Sequence, residues 1–237
     1  MVGGIMLYVC SDIHGCYDEY LEMLKKIKFQ DSDDLYVLGD AVDRGPKPIE
    51  LLFDMASRPN VIPVLGNHEF MAMECLKILT TRITEESIKR LSKDLIESMS
   101  SWLQEGGQTT IDGFKKLSQE AKEDVMDYLS EFSLYEKVCV KGQEYVLCHA
   151  GLSNFSPERS LEDYQLHELI FGRPDYSKAY FPDKILVTGH IVVTNIAENQ
   201  YADFVYKGNN HIAIDCGACF GGHLAAVCLD TGEEFYV

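Results

Sequence analysis

An apolar run that ends abruptly in charge constrains this chain more than any other stretch: Leu35-Tyr-Val-Leu-Gly39-Asp40-Ala-Val-Asp43-Arg44-Gly45. Leu35 to Leu38 reads as a buried strand. It stops at Gly39, which places Asp40 where the strand ends and Asp43 and Arg44 on the loop beyond. A carboxylate can bridge two cations, and a guanidinium fork can grip a phosphate through two N–H groups. The same ending recurs. Five strand-like runs close directly on Asp12/His14, Asp40/Asp43, Asn67/His68, His149 and His190. In open α/β sheets, sites gather beyond the carboxyl ends of strands. Each residue has a bland explanation when taken alone: a helix cap for Asp12, a turn for Asn67, a hydrogen-bonded core histidine for His149 or His190. The same placement five times over weighs against coincidence.

The rest of the chain supplies the frame. Met6 to Cys10 is strand-like, and Tyr17, Leu21, Leu24 and Ile27 then repeat at helical spacing. Ile49 to Ala56 reads as helix after Pro46 and Pro48, and Val61 to Leu65 as the third strand. Strand–helix–strand–helix–strand predicts a mostly parallel sheet. Residues 70–133 change character, with helical periodicity and no convincing strand. They read as a helical insertion beside the sheet, with Thr84 capping one helix ahead of Glu85 and Glu86 and Ser118 capping another whose inward face is Ala121, Val125, Leu129 and Phe132. Strands return from Leu134. Glu136 to Val140 and Glu144 to Cys148 flank a hairpin turn at Lys141-Gly142-Gln143. Ile185 to Thr188, Tyr201 to Tyr206, His211 to Ile214, Leu224 to Leu229 and Glu234 to Val237 follow. The expectation is one α/β domain over residues 1–237, with Met1 to Gly4 as a leader outside the strand pattern.

Charge narrows the partners. A net charge of -17 argues against nucleic acid, whose phosphates bind surfaces rich in Lys and Arg. The eight cysteines do not form a disulfide framework, since several lie in apolar runs where a thiol acts as a small hydrophobe. Cys216 and Cys219 have Cys-x-x-Cys spacing without a second pair to complete a zinc site, so a tight turn is the better reading. No apolar run is long enough to span a bilayer and no signal peptide pattern is present, which makes a cytoplasmic enzyme the expectation.

The residue types suit one chemistry. Two cations about 3.5–4 Å apart activate a water and clamp a phosphoryl group for in-line displacement. They need a bridging carboxylate and a mixed nitrogen and oxygen shell, which favours Mn, Fe, Zn, Co or Ni over Mg or Ca. A leaving alkoxide needs a proton, and His68 oriented by Asp43 is the natural source.

Ser11-Asp12-Ile13-His14-Gly15, Gly39-Asp40-Ala-Val-Asp43-Arg44-Gly45, Gly66-Asn67-His68-Glu69, His149-Ala150-Gly151 and Gly189-His190 resemble, in order, the signature blocks of the phosphoprotein phosphatase family of calcineurin-like metallophosphoesterases. Trp102-Leu-Gln-Glu-Gly106-Gly107 and the stretch from Ile214-Asp215 to Gly221-Gly222 are similar to blocks of its bacterial branch. The resemblance implies two mixed β-sheets packed as a central sandwich flanked by helices. It implies two divalent metal ions, with Mn favoured and Fe or Zn also fitting. Asp12, His14 and Asp40 hold the first metal, Asp40 bridges, and Asn67, His149 and His190 complete the second. His68 paired with Asp43 is the acid, and Arg44 grips the phosphate. A second Arg comes from Arg173 in Phe171-Gly-Arg173-Pro174, with Arg159 as fallback. Glu105 stands where the family often has Asn, and His223 where it often has Arg.

The implied activity is hydrolysis of a phosphomonoester by a hydroxide bridging two metals. The substrate is a phosphorylated protein or a small phosphoester, and the leading expectation is a serine/threonine protein phosphatase. The alternative is a symmetrical dinucleoside tetraphosphatase, with Glu69 leaning toward the protein phosphatases because the tetraphosphatases usually carry Asp there. A non-catalytic scaffold for metal or phosphoprotein is the third reading, disfavoured because His68 and all six ligand positions are present.

Overall fold

Side chains alternate across a strand, and that period of two sorts the buried strands into an inner and an outer core. The computed structural model describes residues 5–80 and 92–237. One sheet has the order β10-β9-β1-β2-β3. It comprises β1 (Leu7–Cys10), β2 (Asp34–Leu38), β3 (Val61–Val64), β9 (Ala225–Cys228) and β10 (Glu234–Tyr236). β1, β2 and β3 run parallel, while β9 is antiparallel to both β1 and β10. The other sheet has the order β4-β5-β6-β8-β7. It comprises β4 (Tyr135–Val140), β5 (Gln143–Cys148), β6 (Lys184–Thr188), β7 (Tyr206–Gly208) and β8 (His211–Ala213). β5, β6 and β8 are its parallel centre.

Val9, Leu38 and Val64 of the first sheet meet Leu147, Val187 and Ile212 of the second in one cluster between the sheets. Their neighbours Cys10 and Val37 turn the other way, onto Met23 and Leu24 of α1 (Tyr17–Lys26) and Leu52 and Met55 of α2 (Pro48–Ala56). Val146, Cys148 and Leu186 likewise face outward onto Leu169 and Ile170 of the short α7 (Leu166–Ile170). This is the mixed two-sheet α/β sandwich that the sequence resemblance implies.

The helices between β3 and β4 are α3 (Asn67–Thr80), α4 (Lys93–Gln104), α5 (Gln108–Phe114) and α6 (Gln119–Ser130). Ser118 Oγ accepts from the Ala121 amide at 3.1 Å, so the expected cap of α6 forms. Trp102, Phe114, Val125 and Leu129 join the helix-side core of the first sheet. The Thr84 cap and the leader at Met1 to Gly4 lie outside the described residues. Among the described residues no helix is long and apolar enough to cross a membrane.

One expected strand is shorter than its sequence suggests. Only Tyr206 of Tyr201 to Tyr206 enters β7. Asn199 turns the preceding chain aside, its Oδ1 accepting from the Tyr201 amide and its Nδ2 donating to the Phe204 carbonyl. Tyr201 and Phe204 are left exposed.

His211 in β8 is a core residue. Its ring stacks on Tyr176 at 4.7 Å and its Nε2 lies 2.9 Å from Thr188 Oγ1. Burial pushes its pKa down to about 3. The unfolded chain therefore takes up a proton near the ordinary histidine value while the folded chain does not. Stability contributed by the neutral ring is full above about pH 6.5 and is lost as pH falls toward 3. Between pH 7 and pH 5 this costs about 2 kcal/mol. Urea midpoints measured across that range should fall for the wild type, and should fall less for His211→Phe.

Candidate metal centre

The strand-end loops bend into backbone conformations that side-chain-bearing residues seldom adopt. Asp12, His14, Asp40, Asp43, Arg44 and His190 all have positive φ, between 46° and 72°. Such strain persists only where surrounding contacts over-determine it, and it clusters at functional sites. The contacts are visible. Glu69, on the first turn of α3, accepts from four backbone amides: Ala41 and Val42 through Oε1, and Asp40 and Gly66 through Oε2, at 2.7–3.1 Å. This buried carboxylate fixes the loop that carries Asp40. A Cβ at Gly66 would overlap Asp40 Oδ1, and one at Gly189 would overlap Asp12 Oδ2, so both positions need glycine for close backbone approach.

Asp40 sits at the middle of the cluster, 2% exposed. Its Oδ2 faces His14 Nε2 at 3.6 Å and His68 Nε2 at 3.9 Å, while its Oδ1 faces His149 Nε2 at 3.4 Å. The two oxygens therefore look into two neighbouring groups of donors, His14–Asp40–His68 and Asp40–His149–His190. Asn67 Oδ1 lies 2.9 Å from His149 Nε2, and His190 Nδ1 lies 3.2 Å from it. Asp12 stands beside both groups, its Oδ2 accepting from the His190 amide at 2.9 Å.

The protonation pattern fits divalent cations. His14 Nδ1 is 2.9 Å from the Val42 carbonyl and His149 Nδ1 is 2.8 Å from the Leu38 carbonyl. A carbonyl only accepts, so each Nδ1 carries the hydrogen and each Nε2 presents a lone pair. The His149 lone pair then points at the oxygens of Asn67 and Asp40, an arrangement of mutually repelling acceptors that a cation among them relieves. Burial first, then nearby positive charge, pushes the pKa of His14 and His149 well below the ordinary value, and that of His190 down to about 4. Neutral imidazoles are the ligating form. Burial, then repulsion from neighbouring carboxylates, pushes the Asp12 and Asp40 carboxyls well up, and burial pushes Asp215, after β8, up to about 6. A nitrogen and oxygen set of this kind suits first-row transition metals.

His68 is held differently. Its Nδ1 is 2.6 Å from Asp43 Oδ2, which also accepts from Trp102 Nε1 at 2.7 Å. Asp43 Oδ1 accepts from Thr110 Oγ1 at 2.5 Å, and the Asp43 amide donates to that same hydroxyl at 3.0 Å. The helices α4 and α5 thus supply the contacts that orient the Asp43–His68 pair. Arg44 Nη2 is 3.1 Å from His68 Nε2, its Nε donates to the Glu105 carbonyl, and Glu105 Oε2 is 3.5 Å from Nη2.

Arg173 acts electrostatically on His190, as the second cause of that histidine's lowered pKa after burial. Arg159 is committed elsewhere. It makes a bidentate pair with Glu168 at 2.6 and 2.9 Å and stacks on Tyr164 at 3.9 Å, which removes it as the second phosphate ligand. His223 is exposed and stacked on Phe204. Cys216 and Cys219 are free thiols, the first just before a glycine-led turn and the second within it.

Thr110 and Asp215 also line this site, beyond the residues to which the sequence motifs give a role. Asp215 follows an apolar run as Asp40 does, so the strand-end rule applied a sixth time finds it. Nothing local marks Thr110, which depends on where α5 packs. Thr110→Val keeps the shape, leaves the buried Asp43 amide without its acceptor, and loosens the carboxylate behind His68. We expect p-nitrophenyl phosphate turnover to fall about 10- to 100-fold, with about 1–3 kcal/mol lost in stability by urea titration.

Comparison with known proteins places the chain in a family. The calcineurin-like phosphoesterase family matches residues 5–226. This chain belongs to that family. It is a metallophosphoesterase hydrolase, and the scaffold reading falls. A curated relative from Salmonella paratyphi A, named a symmetrical bis(5'-nucleosyl)-tetraphosphatase, is 30% identical over 97% of this chain and 92% of its own length. A crystal structure provisionally named a diadenosine tetraphosphatase superposes with a TM-score of 0.65 at 19% identity, covering 100% of this chain and 94% of that one. A yeast serine/threonine phosphatase (Saccharomyces cerevisiae) with similarity to human PP5 gives 0.60 at 15%, covering 98% and 74%. At these identities the two structures speak to the metallophosphoesterase fold alone.

Proposed function

We propose that this metallophosphoesterase hydrolyses dinucleoside tetraphosphates symmetrically, taking up one water to give two nucleoside diphosphates. The observation that carries the reaction is the Asp40 carboxylate, shared between two groups of buried donors. The choice of substrate is supported by the name of the relative that aligns over nearly all of both chains. The sequence lean toward protein phosphatases through Glu69 loses its force, because that side chain is fully buried and spends both oxygens on loop amides. It faces no substrate and so selects none.

In this reading Asp12, His14 and Asp40 would hold one divalent cation, and Asp40 with Asn67, His149 and His190 would hold the other. Mn is the favoured ion. When bound, the pair supplies Lewis-acid polarisation of the phosphoryl oxygens and lowers the pKa of water. Arg44 and Arg173 bind phosphate oxygens and counter the charge that builds on them. Water attacks the inner phosphorus in line and gives up a proton to solvent, and the bond to the bridging oxygen breaks with its electron pair leaving on the departing diphosphate. His68 Nε2 carries a proton toward that oxygen. Its Nδ1–H stays on Asp43, which keeps the ring turned.

Incubation of Mn-loaded protein with diadenosine tetraphosphate, followed by nucleotide chromatography, tests this. The expected product is ADP alone. AMP with ATP, or no turnover alongside rapid release of phosphate from a phosphoserine peptide, contradicts the proposal.

A further inference from the structure

Phe220 is a large aromatic side chain kept in solvent at the edge of the metal centre. It is 66% exposed. Its turn is not loose: Gly217 and Gly221 bracket Ala218–Phe220 with φ of 74° and 82°, and the His223 amide donates to the Cys216 carbonyl at 3.0 Å. Ala218 and Cys219 pack against the helix-side core. The turn therefore tucks its small residues partly inward and holds its one large apolar ring outside. That ring lies over the Arg44 guanidinium, 5.0 Å from centroid to Cζ. Arg44 in turn reaches His68. A ring that serves only to pack would be covered, and one serving only to hold Arg44 is superfluous beside the Glu105 and Gly106 contacts that already do so.

We propose that Phe220 is the platform on which a nucleobase of the substrate stacks, which makes it a specificity-determining residue for nucleotides over bare phosphates. The inference rests on the dinucleoside tetraphosphate reading. An exposed aromatic face beside a phosphate-gripping arginine matches a ligand whose planar base is tethered to a phosphate chain. Base–aromatic stacking is strong enough to matter and tolerant of base identity. Purine nucleotides should be preferred over pyrimidine ones because they offer the larger stacking area.

The test is inhibition of p-nitrophenyl phosphate turnover by ADP and by pyrophosphate, in Mn-loaded wild type, Phe220→Leu and Phe220→Trp. The expected result is that ADP inhibits the wild type more tightly than pyrophosphate. Phe220→Leu should shrink that preference about tenfold or more, and Phe220→Trp should keep it. If Phe220 only braces Arg44, both inhibition constants rise together and the ratio stays, which overturns the proposal. A wild type without preference for ADP also overturns it. Failure to cleave diadenosine tetraphosphate, with the ADP preference still lost in Phe220→Leu, would sink the substrate assignment and leave the base platform standing. Clean cleavage with an unchanged ratio would do the reverse.

Discussion

Asp40→Asn should abolish metal-dependent turnover, lowering kcat/KM by about 10³-fold or more, since the metals' contribution amounts to several kcal/mol of barrier. The argument is geometric. One oxygen of Asp40 faces His14 and His68 and the other faces His149. An amide replaces one anionic oxygen with an N–H donor, so whichever way it turns, one of the two donor groups meets a hydrogen where it needs a lone pair. The His68 amide, which donates to Asp40 Oδ1 at 3.1 Å, fixes the preferred turn: the oxygen stays there and the new NH₂ points at His14. Loss should therefore fall first on the group containing His14. Elemental analysis after dialysis should show the variant retaining less Mn than the wild type, with the circular dichroism spectrum preserved. Full Mn content and near-normal turnover would show that Asp40 does not bridge.

His68→Ala should lower kcat by about 10²- to 10⁴-fold with metal content intact, the range for loss of a positioned general acid. The loss should grow with the basicity of the leaving group, because p-nitrophenolate departs with little need of a proton and an alkoxide does not. A steeper dependence of rate on leaving-group pKa in the variant than in the wild type would identify His68 as the proton donor. Equal losses on p-nitrophenyl phosphate and on an alkyl phosphate, with Mn also released, would instead make His68 a ligand, which its place beside His14 and Asp40 also allows.

Much of this is legible in the sequence alone. The alternation of apolar runs with helical spacing marks β1, α1, β2, α2 and β3 to within a residue or two, because parallel strands buried on both faces read as continuous apolar runs. The residues closing those runs converge because parallel strands end on the same side of a sheet. What stayed hidden depends on packing between distant segments. Thr110 reaches Asp43 only once α5 docks against the loop after β2, and no local pattern announces that contact. Arg159 and Arg173 carry the same charge on the same stretch between β5 and β6, and only Glu168 and Tyr164 closing on Arg159 separate them. Glu69 illustrates a different failure. The family resemblance ties its identity to substrate, yet it points into backbone amides, so it reports how one loop is built. The Tyr201 to Tyr206 run shows strand composition without a strand, because Asn199 satisfies the local backbone first.

The central claim is that the buried cluster around Asp40 binds the cations on which hydrolysis depends. It is tested most directly by stripping the purified protein with chelator, titrating Mn²⁺ back, and following p-nitrophenyl phosphate turnover against equivalents added. The account predicts negligible turnover in the stripped protein and a rise that saturates near two equivalents per chain. Undiminished turnover without metal, with Mn²⁺ adding nothing, would contradict it.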